Sequence, residues 1–338
     1  MSSSSTLSQN SITISKVFEP IQDDMKELEA VMKKSLASEV ALINQISQYL
    51  IEAGGKRIRP ALLFLISNAL SNGKSIDYRH DIAAVLEFIH SATLLHDDVV
   101  DESDLRRGRK TANAVFGNAA SVLVGDFLYS RAFQMMVQPG ELRIMEILSS
   151  ATNVIAEGEV LQLINLNDSQ VDEERYFQVI MYKTAKLFEA SAELGAVLAK
   201  ASPQLTAQAA EFGKYIGLVF QLVDDWLDYA STSEVMGKNA GDDLREGKPT
   251  LPLIYLLNHG SDSEKQMAAK AIEQFEACDE VFYETVLASV KTSGALEYTL
   301  SKAKEVAQLA RHCLKDFPLN KNTQALHDLC DYSLSRIL

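Results

Sequence analysis

Apolar residues recur three and four positions apart along almost the whole chain. Leu42, Ile46, Tyr49 and Leu50 form one such stripe, and Ala84, Val85, Phe88, Ile89 and Ala92 form another. This 3.6-residue period predicts amphipathic helices rather than strands, and the fold class that follows is all-α. The pattern breaks at Gly54-Gly55, from Leu70 to Ser75, at Pro139-Gly140, from Asn165 to Ser169, at Ser202-Pro203, and through a glycine- and charge-rich segment from Ser231 to Thr250. None of these breaks has the composition of an interdomain linker, and no short repeat of fixed period is present. One large helical domain of about a dozen helices is expected over residues 16–338. Residues 1–15 are polar and serine-rich, without a basic residue or an apolar core, which predicts a disordered tail rather than a signal peptide.

Composition agrees with helices and narrows the partners. Only 16 glycines and 7 prolines occur among 338 residues, too few for the turns of a many-stranded protein. Acidic residues outnumber basic ones 46 to 32, for a net charge of −14, the opposite of a nucleic-acid-binding footprint. Cys278, Cys313 and Cys330 show no C-x-x-C spacing, so neither a disulfide framework nor a zinc site is expected, and a reducing cytoplasm is the expected compartment. No apolar run approaches the roughly 20 residues that span a bilayer, so no transmembrane segment is expected.

Three segments call for chemistry. In His96-Asp97-Asp98-Val99-Val100-Asp101, three carboxylates interrupt an apolar helical stretch, with Asp97 and Asp101 one above the other on one face. Alone, this reads as a solvated acidic face. A second copy, Asp224-Asp225-Trp226-Leu227-Asp228, is flanked by Val223 and Tyr229, surroundings a solvated face would not have. Six aspartates in two matching clusters, without a comparable set of Lys or Arg within the helices, call for hard divalent cations. Oxygen-only ligands point to Mg²⁺, which takes one or two carboxylates and completes its shell with water and substrate phosphates.

The third segment is Gly54-Gly55-Lys56-Arg57-Ile58-Arg59-Pro60, just ahead of an apolar helical run. Pro60 suits a first helical turn, so the three bases crowd the end of a helix where the macrodipole is already positive. An anion bound there by free backbone N–H groups and the basic side chains resolves the conflict. Further bases follow each acidic cluster: Arg106 and Arg107 after the first, Lys238 and Lys248 after the second. Cations beside carboxylates in an acidic chain suggest a phosphate-and-metal site.

These segments, together with Lys183-Thr184, Phe220-Gln221 and Gly247-Lys248-Pro249-Thr250, resemble the trans-isoprenyl diphosphate synthases. The motifs stand in that family's order, and the likeness runs from about Lys16 to the end; Val122 to Phe127 and Ile155 to Glu159 are similar to bacterial octaprenyl diphosphate synthases. The resemblance implies a single all-α helical bundle around a deep central cavity, the isoprenoid synthase fold, with the two aspartate helices facing across its mouth, usually as a homodimer. It implies that Asp97, Asp101 and Asp224 bind Mg²⁺, with Asp98, Asp225 and Asp228 supporting. It assigns Arg106, Lys183, Thr184, Gln221, Lys238 and Lys248 to an allylic diphosphate, and Lys56, Arg59, His90 and Arg107 to isopentenyl diphosphate.

The implied reaction is head-to-tail condensation of isopentenyl diphosphate onto an allylic diphosphate such as farnesyl diphosphate. The expected product is octaprenyl diphosphate for a quinone side chain, handed to membrane enzymes; nonaprenyl (solanesyl) diphosphate and a non-catalytic regulatory subunit are the alternatives. Product length is expected to depend on Ala92 and Thr93 as an open gate above a floor at Phe88 or at Met135 and Met136. Two rivals fit less well. For a terpene cyclase the resemblance implies an Asn/Ser/Glu-type second metal motif, and a His-Asp phosphohydrolase built on His96-Asp97 leaves the second cluster and the Gly54-Gly55-Lys56-Arg57 segment unexplained.

Overall fold

The computed structural model describes residues 12–106, 108–230 and 241–336. Arg107 and Lys238, two of the expected phosphate contacts, lie outside the described residues, as do the first eleven residues of the expected tail. The helices are α1 (Ile14–Phe18), α2 (Gln22–Ser35), α3 (Ala41–Glu52), α4 (Ile58–Leu70), α5 (Arg79–Val100), α6 (Ala112–Phe116), α7 (Asn118–Met136), α8 (Leu142–Asn165) and α9 (Glu173–Ile180). A π-helical turn, Met181–Ala185, leads into α10 (Lys186–Leu198). Then come α11 (Pro203–Ala230), α12 (Asp242–Arg245), α13 (Leu251–His259), α14 (Asp262–Glu273), α15 (Glu280–Thr292), α16 (Ala295–Cys313) and α17 (Lys321–Ser335). Twelve of these run twelve residues or more, which are the ones a helical period can reveal.

Two details depart from the sequence reading. Order begins earlier than residue 16: the Thr13 hydroxyl caps α1 by accepting from the Lys16 N–H at 3.4 Å, and Ile12 and Ile14 pack against the main core. Two apolar anchors two residues apart are too short a pattern to register as a helix. The all-α reading also gains a small antiparallel hairpin, Leu105–Arg106 paired with Arg109–Lys110, whose two-residue strands carry no readable period.

The core is organised around two helices. α4 is buried on nearly every side from Pro60 to Ser67, the mark of a helix in the middle of a bundle, and it packs against α5, α10 and α17. α11, 28 residues and about 42 Å long, feeds every major apolar cluster among the described residues. Phe212, Ile216 and Phe220 enter the largest; Leu218, Val219, Leu222 and Val223 a second; Tyr229 a third with Leu253, Leu256 and Val286. A Cβ on Gly217 would come within 2.6 Å of Ala185 Cα. Glycine therefore lets α11 lie directly on the π-helical turn, which sets Gln221, one turn further on, beside Thr184. No helix among the described residues is long and apolar enough to cross a membrane.

Candidate active site

The first aspartate cluster closes α5. The Asp101 N–H donates to the Asp97 carbonyl at 2.8 Å, so both carboxylates keep the same face. A helix C-terminus is the negative end of the macrodipole, an unfavourable place for three carboxylates. Cations from other elements answer it. Arg106 donates through Nε and Nη2 to Asp98 Oδ1 at 2.9 and 2.7 Å. Lys183 Nζ lies 3.6 Å from Asp97 Oδ2 and donates to Glu159 Oε2 at 2.6 Å. Lys248 Nζ lies 3.3 Å from Asp101 Oδ2 and 2.5 Å from Glu246 Oε2. Burial pushes the Asp97 carboxyl above its ordinary range despite Lys183, and Asp101 adds to the rise. Burial alone would lower the Lys248 ammonium, but Asp243, Glu246 and Asp101 outweigh it and hold it protonated.

The second cluster lies in the last two turns of α11 and is handled differently. Asp224 is exposed and pairs with Arg336, just past α17. Asp225 is buried and accepts from the Tyr176 hydroxyl at 2.6 Å and from Gln221 Nε2 at 2.7 Å, while Gln221 Oε1 accepts from Thr184 Oγ1 at 2.9 Å. Asp228, also buried, accepts from the N–H groups of Asp242 and Asp243 at 3.2 and 3.3 Å. Burial, reinforced by Asp243, pushes Asp225 and Asp228 each up to about 8. The cations that answer these carboxylates come from outside α5 and α11: Arg106, Lys183, Lys248 and Arg336. Arg106 is eight residues from Asp98, whereas Lys183, Lys248 and Arg336 are brought in from distant parts of the chain by the fold.

The two clusters meet around the π-helical turn. Lys183 reaches Asp97 on one side, and Thr184 reaches Asp225 through Gln221 on the other. The basic turn opens α4. Lys56 is exposed, whereas Arg57, the left-handed N-cap of α4 with φ 48°, turns inward to Glu87 and to Glu29, so it leaves the expected anion turn for a buried ion pair. Arg59 lies over the Phe188 ring at 4.5 Å, Phe188 stacks on Phe220 with centroids 5.5 Å apart, and Arg336 lies over Phe220 at 5.2 Å. This stack runs from the basic turn to Asp224. His90 is half-buried on α5, its carbonyl accepting from Thr93 Oγ1 at 2.8 Å.

The length-setting candidates separate on the α5 wheel. Thr93, four residues before Asp97, shares its face; Ala92 is turned by about 140° and is fully buried. Phe88, nine residues before Asp97 and so about half a turn away, lines a small cavity with Met32, Leu36, Leu50 and Leu128. That places it on the opposite flank from Asp97. Met135 and Met136 are buried at the end of α7. His96 faces α7, with Nε2 3.2 Å from the Val122 carbonyl and 3.4 Å from Asp126.

Among the described residues, no three His, Cys, Asp or Glu side chains converge to cage a metal by themselves. The donor set suits Mg²⁺ nonetheless: all-oxygen carboxylates in two groups, with lysines placed for phosphate, match an ion that takes one or two carboxylates and substrate oxygens. Glu159, Tyr176 and Arg336 were not singled out from the sequence. Each touches a motif residue only through the fold, and no local spacing marks them.

Residues 40–289 match the model of the Polyprenyl synthetase family. The octaprenyl diphosphate synthase of Escherichia coli is 48% identical over 325 residues, covering 96% of this chain and 99% of its own. The all-trans-nonaprenyl-diphosphate synthase (geranyl-diphosphate specific) of Rhodobacter capsulatus is 39% identical, covering 95% and 97%. A crystal structure of a polyprenyl synthase from Caulobacter crescentus, complexed with calcium and isoprenyl diphosphate, superposes with a TM-score of 0.92 at 41% identity, covering 98% of this chain and all of that one. The chain belongs to the polyprenyl synthetase family and has its all-α isoprenoid synthase fold. Within it, the chain is a prenyltransferase of isoprenoid biosynthesis, a long-chain trans-polyprenyl diphosphate synthase.

Proposed function

We propose that this chain makes octaprenyl diphosphate for the ubiquinone side chain, by Mg²⁺-dependent condensation of isopentenyl diphosphate onto an allylic diphosphate such as farnesyl diphosphate. The observation that carries the reading is the meeting of two aspartate clusters around Lys183, Thr184 and Lys248, beside a separate basic turn. Asp97, Asp101 and Asp224 would hold Mg²⁺, with Asp98, Asp225 and Asp228 supporting. Bound metal neutralises charge growing on the leaving diphosphate. Arg106, Lys183, Thr184, Gln221 and Lys248, with Lys238, bind that same group, and Lys56, Arg59, His90 and Arg107 bind isopentenyl diphosphate. The allylic C–O bond breaks with its electron pair going to the diphosphate. The isopentenyl double bond then attacks the allylic cation to form the new C–C bond, and a proton passes to the departed diphosphate. Donors fixed before the reaction favour this charge separation without reorganising.

Octaprenyl is favoured over nonaprenyl by the identity ranking, 48% against 39%. A single catalytic domain, a second copy of the chain as partner, the cytoplasm as compartment and delivery of the product to membrane enzymes complete the reading. Exposed Leu123 on α7 and Leu142, Val160, Leu163 and Ile164 on α8 support the homodimer, since permanent interfaces bury such side chains. The test is product chromatography after incubating pure protein with Mg²⁺, farnesyl diphosphate and labelled isopentenyl diphosphate. Octaprenyl diphosphate is expected. A nonaprenyl main product would replace the assignment, and no turnover by the pure chain would favour a regulatory subunit.

A further inference from the structure

Glu159 belongs to α8, yet its side chain ends at the junction of the aspartate clusters. Its Oε2 accepts from Lys183 Nζ at 2.6 Å, while Asp97 Oδ2 lies 3.6 Å from the same ammonium. Lys183 is thus shared unequally between two carboxylates, with the shorter bond going to Glu159. The backbone is shaped for this arrangement. A Cβ on Gly158 would fall 2.6 Å from Lys183 N and 2.9 Å from Tyr182 C, so only glycine lets α8 seat directly against the π-helical turn. Such turns insert an extra residue into a helix and are often found at functional sites. Tyr129 of α7 closes the other side, stacked between His96 and Phe133 with centroids 6.0 and 6.3 Å away. Burial, with Asp97 and Glu159 nearby, pushes its phenol up to about 12.

We propose that Glu159 is a positioning residue that holds the Lys183 ammonium off Asp97, leaving the Asp97 carboxylate to the divalent metal that accompanies the diphosphate. This rests on Asp97 being a metal ligand, as read above. Without the Glu159 carboxylate, Asp97 is the carboxylate left beside the ammonium. Closing a gap of 3.6 Å would form a direct charge-assisted bond that incoming metal must break. Lys183 would also lose the anchor that keeps it aimed into the mouth.

The experiment measures Mn²⁺ binding by electron paramagnetic resonance, in the full chain saturated with farnesyl thiodiphosphate, an allylic analogue that ionises very slowly. Glu159→Gln should raise the half-saturating metal concentration about ten-fold, the worth of one charge-assisted hydrogen bond. In a Lys183→Met background the same substitution should change it by less than about two-fold, because the ammonium that Glu159 would hold off Asp97 is gone. An unchanged requirement in Glu159→Gln, or the full factor recurring in the Lys183→Met background, would overturn the inference and make Glu159 a direct or merely structural group. If Glu159→Gln does not fold by circular dichroism, Glu159→Asp carries the same cycle. A smaller shift that disappears with Lys183→Met supports the inference, and an equal shift in both backgrounds overturns it. Wild-type protein whose analogue binding needs no metal would instead sink the reading of Asp97 itself.

Discussion

The two aspartate clusters share one spelling, Asp-Asp-x-x-Asp, and one kind of place, the last turns of α5 and α11. Their charges are balanced by different means. The first is answered mainly by cations brought from elsewhere, Arg106 on Asp98, Lys183 near Asp97 and Lys248 near Asp101. In the second, Asp224 pairs with Arg336, while Asp225 and Asp228 are buried against neutral donors: Tyr176, Gln221 and two backbone N–H groups. Identical motifs therefore carry unequal electrostatic stress, and the second stores more of it. A site that must accept a divalent cation gains from carboxylates left short of charge, since metal binding then relieves the strain.

The largest effect tests whether the clusters are functionally equal. Asp97→Ala and Asp224→Ala should each cut turnover by about 10²–10³-fold, the scale for losing one charge-stabilising group from a preorganised site. The fold should survive by circular dichroism in both. Full activity in EDTA would remove the metal from the comparison altogether.

Next in size is a control that belongs to neither cluster. Lys56→Ala and Arg59→Ala should raise the KM for isopentenyl diphosphate about ten-fold, the worth of one charged hydrogen bond, and leave that for the allylic substrate nearly unchanged. Equal rises for both substrates would merge the basic turn with the aspartate clusters.

A smaller effect reads the stored stress directly. An unfolded aspartate ionises near 3.8, whereas folded Asp225 and Asp228 hold their protons up to about 8. Between those values the folded chain binds more protons than the unfolded one, so stability must fall as pH rises and level off above about 8. Thermal unfolding of metal-free protein should therefore occur at lower temperature at pH 8 than at pH 5. Asp225→Asn should flatten that slope. A slope unchanged in Asp225→Asn would mean the two clusters are equally stressed.

The smallest expected change in rate accompanies a change in product. Thr93→Phe, on the Asp97 face, should shorten the main product from about eight isoprene units to about three or four, four residues at 1.5 Å each placing the block roughly 6 Å below the carboxylate. Ala92→Phe should also lower thermal stability, since overpacking a buried site costs about 1 to 3 kcal/mol. Product chromatography beside thermal unfolding separates them. A full-length product from well-folded Thr93→Phe would show that the chain does not pass this face of α5.

How much was legible follows from the range of the forces involved. The helical period of α5 and α11, the doubled aspartate motif and the basic turn ahead of α4 are local, set by spacing within a few residues, and were read without tertiary information. Period alone also foretold the long helices, while α1 and the Leu105–Lys110 hairpin were too brief to leave a pattern. Arg57 could not be told from Lys56 and Arg59 by sequence. Only the burial of Glu87 on α5, thirty residues on, decides that Arg57 faces inward. Likewise nothing adjacent to Asp225 names Tyr176, and nothing adjacent to Lys183 names Glu159. Sequence by itself determined which residues could carry charge and on which helical face. Packing decided which charges meet, because desolvation and Coulomb energy depend on distance in space, and a separation of 24 or 49 residues becomes a hydrogen bond only once the helices are docked.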